Sequence, residues 1–132
     1  MSDDIVTGNK ALVAQSIEVL WNQGALDRAG EFLAANVRRH HERDPDADLH
    51  GLEVVRDRLA NLRRARPDSR VEIVRMFGEG DRVMVHLRSQ GGGLVWTVTA
   101  FARVADGRIA EFWLIADTLG LLQQQGSVRR FA

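Results

Sequence analysis

Three features of the sequence predict an α+β fold with helices first and an antiparallel sheet second. The first half of the chain carries apolar residues at helical spacing. The second half alternates apolar and polar positions with period two. Glycine- and aspartate-rich turns separate the alternating runs. With 132 residues there is room for one cored domain and a small-molecule cavity, but not for a second domain.

The helical half is read first. Val13, Ile17, Leu20 and Trp21 recur at i, i+4, i+7 and i+8, the apolar stripe of a helix over about residues 5–22, and Trp21 is read as core. Asn22-Gln23-Gly24 stops it. Leu26, Ala29, Phe32 and Leu33 suggest a short second helix, and Val37-Arg38-Arg39 an edge strand. Leu52, Val55, Leu59 and Leu62 mark a third helix over about 51–65, which Pro67 ends.

Alternation then takes over. A strand runs from Val71 to about Phe77 and turns at Gly78-Glu79-Gly80-Asp81. Val83, Val85 and Leu87 mark the next strand, and Gly91-Gly92-Gly93 turns again. Strands over about 94–104 and 108–116 are separated by Asp106-Gly107, and a tail helix over about 119–125 follows. The last two strands are apolar on both sides, with Trp96, Val98 and Ala100 set against Val95 and Phe101, and Trp113 and Ile115 against Phe112 and Leu114. One helical layer covers one face only, so a second cover is expected from a twofold partner or from the chain's own tail, with a homodimer through the sheet favoured.

Composition narrows the function classes. Lys+Arg and Asp+Glu are both 18, for zero net charge. That argues against a nucleic-acid partner or an anionic membrane held by bulk charge. The absence of cysteine excludes disulfides, thiol catalysis and cysteine-ligated zinc, and the absence of tyrosine excludes a phenol as acid or oxyanion donor. No apolar run reaches the roughly 20 residues of a membrane span. The start, Met1-Ser2-Asp3-Asp4, lacks the basic and apolar regions of a signal peptide, and a cytoplasmic location is expected.

Few residues are candidates for chemistry. Asp117 follows the most apolar strand and, by alternation, shares a face with Trp113 and Ile115. A carboxylate held against such a surface is desolvated, which raises its pKa and suits a general acid/base. Its competing role is N-cap of the tail helix. His40 and His41 follow a possible edge strand, so one is expected to face the core, where it could pair with a carboxylate or orient a ligand. The alternative is a solvated stretch, Arg38-Arg39-His40-His41-Glu42-Arg43. Histidines 40, 41, 50 and 86 lack metal-ligand spacing, so no metal is expected. His86 reads as a surface or interface residue. Trp96 and Trp113, with Ile115, could line a pocket and stack on a flat ligand. Arg56, Arg58, Arg63, Arg64 and Arg66 read as a solvated helix face.

The stretch Asp106-Gly107-Arg108-Ile109-Ala110-Glu111-Phe112-Trp113, with Asp117-Thr118-Leu119-Gly120-Leu121-Leu122-Gln123-Gln124 and Gly126, resembles the C-terminal signature of SnoaL-like polyketide cyclases. Leu20-Trp21-Asn22-Gln23-Gly24, the histidine after the second helix and Gly51-Leu52-Glu53 are similar to further family positions. The resemblance implies one domain over 1–132, with flexible ends at 1–7 and 127–132. It also implies a nuclear transport factor two-like fold, in which a curved antiparallel sheet and three helices form a cone around an apolar cavity, usually in a dimer. In this family an Asp of the last motif closes a ring by intramolecular aldol condensation of a polyketide ester, without metal or cofactor. Asp117 is the matching position, and His40 or His41 matches the cavity histidine.

Two departures stand out. Leu114 occupies a position where family members often carry Asp, and the hairpin Ser89-Gln90-Gly91-Gly92-Gly93 is shorter than usual. Ketosteroid isomerases and scytalone dehydratases, relatives that polarise carbonyls with tyrosine, lack their key residue here. Limonene epoxide hydrolases need a strand Arg-x-Asp, which the assigned strands lack. The expectation is a cofactor-free cyclase or isomerase with Asp117 as acid/base. His40 or His41 would polarise a carbonyl, and Trp96, Trp113 and Ile115 would hold a small apolar or aromatic substrate. The alternative is a non-catalytic ligand-binding module of the same fold.

Overall fold

The computed structural model describes residues 2–127 and Arg129. Helix α1 (Ser2–Ser16) continues as a π-helical stretch, Ile17–Asn22, and a 3-10 segment, Leu26–Glu31, leads into β1 (Leu33–His40). Two-residue β2 (Leu49–His50) precedes α2 (Leu52–Ala65). The meander β3 (Arg70–Glu79), β4 (Arg82–Gly91), β5 (Leu94–Ala105) and β6 (Arg108–Ala116) follows, and α3 (Thr118–Gln124) ends the fold. The single sheet has the order β2-β1-β6-β5-β4-β3.

One expectation changes. The strand around Val37 is not an edge. It pairs in parallel with β6, and β2 covers its other side. Helix α1 begins at Ser2, and its Val6 and Lys10 lie close against Gly78 of β3. Of the expected flexible end, residues 128 and 130–132 lie outside the described residues.

Local chemistry explains the joints. Asp106 and Gly107 both take positive φ (53° and 73°), the two-residue turn that matches strand twist between β5 and β6. Gly92 and Gly93 (60° and 79°) do the same between β4 and β5, so the short hairpin is as tight as a hairpin can be. Asn22 closes the first helical unit. Its Oδ1 accepts from Val71 N–H at 2.8 Å and its Nδ2 donates to Val71 O at 2.9 Å, so its side chain acts as a neighbouring strand and pins the helix to β3.

The helices pack on one face of the sheet. Val13 and Leu20 from the first helix, Ala29, Val55 from α2, and Val37, Val83, Val85, Leu87, Ala102 and Ile109 from the strands form the buried core. The opposite face carries Phe77, Val95, Phe101 and Ile115 exposed. No helix among the described residues is long and apolar enough to cross a membrane.

Candidate functional site: a cavity between sheet and helices

Which residues reach the helical face follows from strand register. Ser89, Leu87, Val85 and Val83 of β4 pair with Trp96, Val98, Ala100 and Ala102 of β5, and all face the helices. In β6 a β-bulge shifts the register between the Ile109 and Glu111 pairs. The extra residue flips the alternation. Ile109 points inward before the bulge, and Phe112, Leu114 and Ala116 point inward after it.

These strands and the first helical unit line a cavity of about 380 Å³, partly open to solvent, within the size range of small-molecule sites. Its wall is mostly aliphatic and aromatic. The π-helical stretch contributes Ile17, Leu20 and Trp21; α2 contributes Leu59 and Leu62; α3 contributes Leu121. A π-turn widens the helix by one residue per turn and commonly marks functional positions. Trp21, on the same stripe as Val13 and Ile17, lies on the cavity wall, where the sequence reading has it as core.

The polar groups of the wall form two clusters. One lies where α2 meets β3 and β4. Trp21 Nε1 donates to the buried Ser69 Oγ at 3.3 Å, Ser89 is also buried, and the Arg66 guanidinium sits 4.9 Å over the Trp96 ring. The other is at the end of β1, where Arg39 and Glu42 line the cavity. Arg39 makes no ion pair or side-chain hydrogen bond among the described residues, whereas His40 beside it makes two. Burial holds the Arg39 guanidinium below the ordinary arginine value. Glu42 pulls it back up, Arg58 pushes it further down, and Asp48 raises it. The sequence reading missed Arg39, Glu42, Arg66, Ser69 and Ser89. The arginines of α2 are not all solvated as expected: Arg66 covers Trp96, and Arg63 covers Trp21 and donates to its carbonyl.

The residues singled out from sequence divide differently. Trp96 lines the cavity. Trp113 and Ile115 do share a face, but it is the outer one, because the bulge sets the phase of β6. Asp117 lies one residue beyond β6, exposed, as N-cap of α3, and its Oδ1 accepts from Gly120 N–H at 2.9 Å.

Neither histidine faces the cavity. His40 stacks on Trp113 of the outer face, ring centroids 4.4 Å apart. Its Nε2 lies 2.7 Å from Glu111 Oε2 and its Nδ1 3.1 Å from Asp48 Oδ2, so each ring nitrogen has a carboxylate within hydrogen-bond distance. Glu111 also accepts from Arg103 Nε at 2.6 Å. That bond, with His40, holds its carboxyl below the usual glutamate value despite partial burial. The two carboxylates meet opposite edges of the ring and do not converge on a point. No cluster of three or more His, Asp or Glu side chains that could hold a metal ion occurs among the described residues. His41 lies in the following loop. Its backbone N–H donates to Asp48 Oδ1, the main cause of that carboxyl's lowered pKa, and its Nδ1 accepts from the N–H groups of Arg43 and Asp44. An outer groove of about 540 Å³ lies between Phe77, Met84, Phe101 and Trp113. It is formed by strand residues alone, without the second layer that covers the inner cavity.

Comparison with known proteins follows this architecture. The family model for SnoaL-like polyketide cyclases matches residues 11–125. Among solved structures, a candidate polyketide cyclase from Acidithiobacillus ferrooxidans is 21% identical. It covers 91% of this chain and 95% of its own, with a TM-score of 0.81. A loop-truncation variant of IdmH is 25% identical over 89% of this chain and 99% of its own, with a TM-score of 0.80. A candidate ketosteroid isomerase from Kribbella flavida, 18% identical over 84% and 78%, superposes with a TM-score of 0.74. A comparison with curated proteins finds no match.

Proposed function

We propose, from the premise that this chain belongs to the SnoaL-like polyketide cyclase family, that its inner cavity binds a small, mostly apolar carbonyl compound and carries out cyclase- or isomerase-type acid/base chemistry on it. The observation that carries this reading is the cavity itself, apolar over most of its wall and polar at two places. Such a wall holds a carbon skeleton by burial and orients it through a few polar groups.

Asp117 is the family's motif carboxylate by position, and its neighbours Ala116 and Leu121 line the cavity. For ring closure it would remove a C–H proton flanked by carbonyls. The enolate carbon would attack an internal ketone, forming the new C–C bond, and the resulting alkoxide would take the proton back from the carboxylic acid. Asp117 would have to leave the Gly120 N–H to reach a ligand. Asp117→Asn tests the role, because asparagine caps a helix as well as aspartate does. On aromatic β-keto esters the variant is expected to lose ring closure while keeping its fold and ligand binding. Unchanged turnover would remove Asp117 from the mechanism.

A second reading is ligand binding without turnover. It is favoured by the placement of Asp117 in a cap and of both histidines outside the cavity. In that case no keto ester is turned over by the wild type, and Asp117→Asn leaves affinity unchanged.

The outer face, with Phe77 56% and Ile115 47% exposed, is proposed as the surface of a homodimer. Sedimentation is expected to give a dimer for the wild type and a monomer for Phe77→Glu. A monomeric wild type would remove the proposal.

A further inference from the structure

We infer that Arg39 is the head-group anchor of the cavity, and that the ligand it selects is an apolar acid carrying a free carboxylate rather than the corresponding neutral ester. The inference rests on the inner cavity being the ligand site.

The argument starts from charge. Arg39 and Arg66 bring two guanidiniums to the wall and Glu42 one carboxylate, so the lining carries an excess positive charge. Arg66 is already placed against the Trp96 ring. Arg39 is not engaged: it forms no ion pair or side-chain hydrogen bond among the described residues, though it is half-buried. Its neighbours on β1 differ. Arg38 and His40 point to the outer face, where His40 is matched by Asp48 and Glu111. Alternation therefore separates a side chain held by two carboxylates from a guanidinium that has no ion-pair partner among the described residues, a single residue away.

A half-buried guanidinium without a partner is costly, and a planar carboxylate fits its fork of N–H donors through two parallel hydrogen bonds. The other charged groups that face Arg39 are known. Arg58 reinforces its attraction for an anion, while Glu42 and Asp48 oppose it. Glu42 is the one of these that also lines the cavity, so its carboxylate opposes binding of an anion there. The rest of the ligand would lie along Phe112, Leu114 and Trp96. Phe112 pairs directly with Arg39 in the sheet, which puts the apolar surface next to the anchor.

Calorimetric titration with 2-naphthoate and with its methyl ester tests this. The two probes share a ring system and differ in charge. In the wild type the acid is expected to bind about tenfold or more tightly than the ester, the usual worth of a charge-assisted pair. Arg39→Met is expected to abolish that preference while leaving ester binding within about twofold. Glu42→Gln is expected to act in the opposite direction and strengthen acid binding. If the ester binds and the acid binds no better, or if Arg39→Met leaves the preference intact, the anchor is overturned and the cavity reading survives. If neither probe binds, both fall together.

Discussion

The two faces of the sheet are made from alternate residues of the same strands, yet they treat charge in opposite ways. On the outer face His40, Asp48, Glu111 and Arg103 form a continuous chain of hydrogen-bonded partners beneath the stacked Trp113. On the inner face Arg39 has a cavity in front of it and no ion-pair partner among the described residues. Paired charges hold a structure together, while an unpaired charge facing a cavity is available to a ligand. The difference teaches that the function of a histidine or carboxylate here depends on which face it reaches.

The largest expected effect comes from filling the inner face. Ala100→Phe projects a ring into the cavity, and ligand affinity should fall about a hundredfold, equal to about 2.7 kcal/mol. The same enlargement at outer Thr99 should leave affinity unchanged. Equal effects from the two would erase the distinction between the faces.

Next is the outer network. Glu111→Gln leaves His40 and Arg103 without their shared carboxylate and should cost about 1–3 kcal/mol at neutral pH. The Glu111 carboxyl is held below its ordinary value, so its contribution is present above the unfolded pKa and is lost as pH falls through the folded one. Denaturation curves of wild type and variant should therefore begin to converge as pH falls below the ordinary glutamate value and meet once it has passed the folded one. A gap that persists there would mean that Glu111 acts through packing.

The smallest effect concerns the boundary between the faces. Asp117→Ala removes the α3 cap and should cost about 1 kcal/mol, while Asp117→Asn should cost a few tenths at most. An Asp117→Ala protein of unchanged stability would contradict the cap.

The fold was legible to the extent that periodicity is local. The meander β3–β6 and helix α2 lie within a few residues of their expected positions because each announces itself by spacing and by Gly or Asp at its ends. The site was less legible. Alternation correctly paired Trp113 with Ile115, but it does not say which face is inner. A single extra residue in β6 decides that, and it is visible only when Glu111 and Ile109 are set against Arg103 and Val104 of β5. Arg39 was passed over because it sits in a run of charged residues that reads as solvated. Its inward direction comes from the parallel pairing of β1 with β6, a long-range contact with no local signal. The Asp117 cap was legible as an alternative, because Asp just before a helical run is a favoured N-cap.

The protein's three tryptophans provide the most direct test of the central claim, that ligands enter the inner cavity and not the outer groove. Trp21 and Trp96 line the cavity, and Trp113 lies on the outer face. The indole N–H signals can be followed by NMR, each assigned by a Trp→Phe variant, during titration with methyl 2-naphthoate. Those of Trp21 and Trp96 should shift together along one binding curve while that of Trp113 stays in place. A shift confined to Trp113 would place the ligand on the outer face and contradict the account.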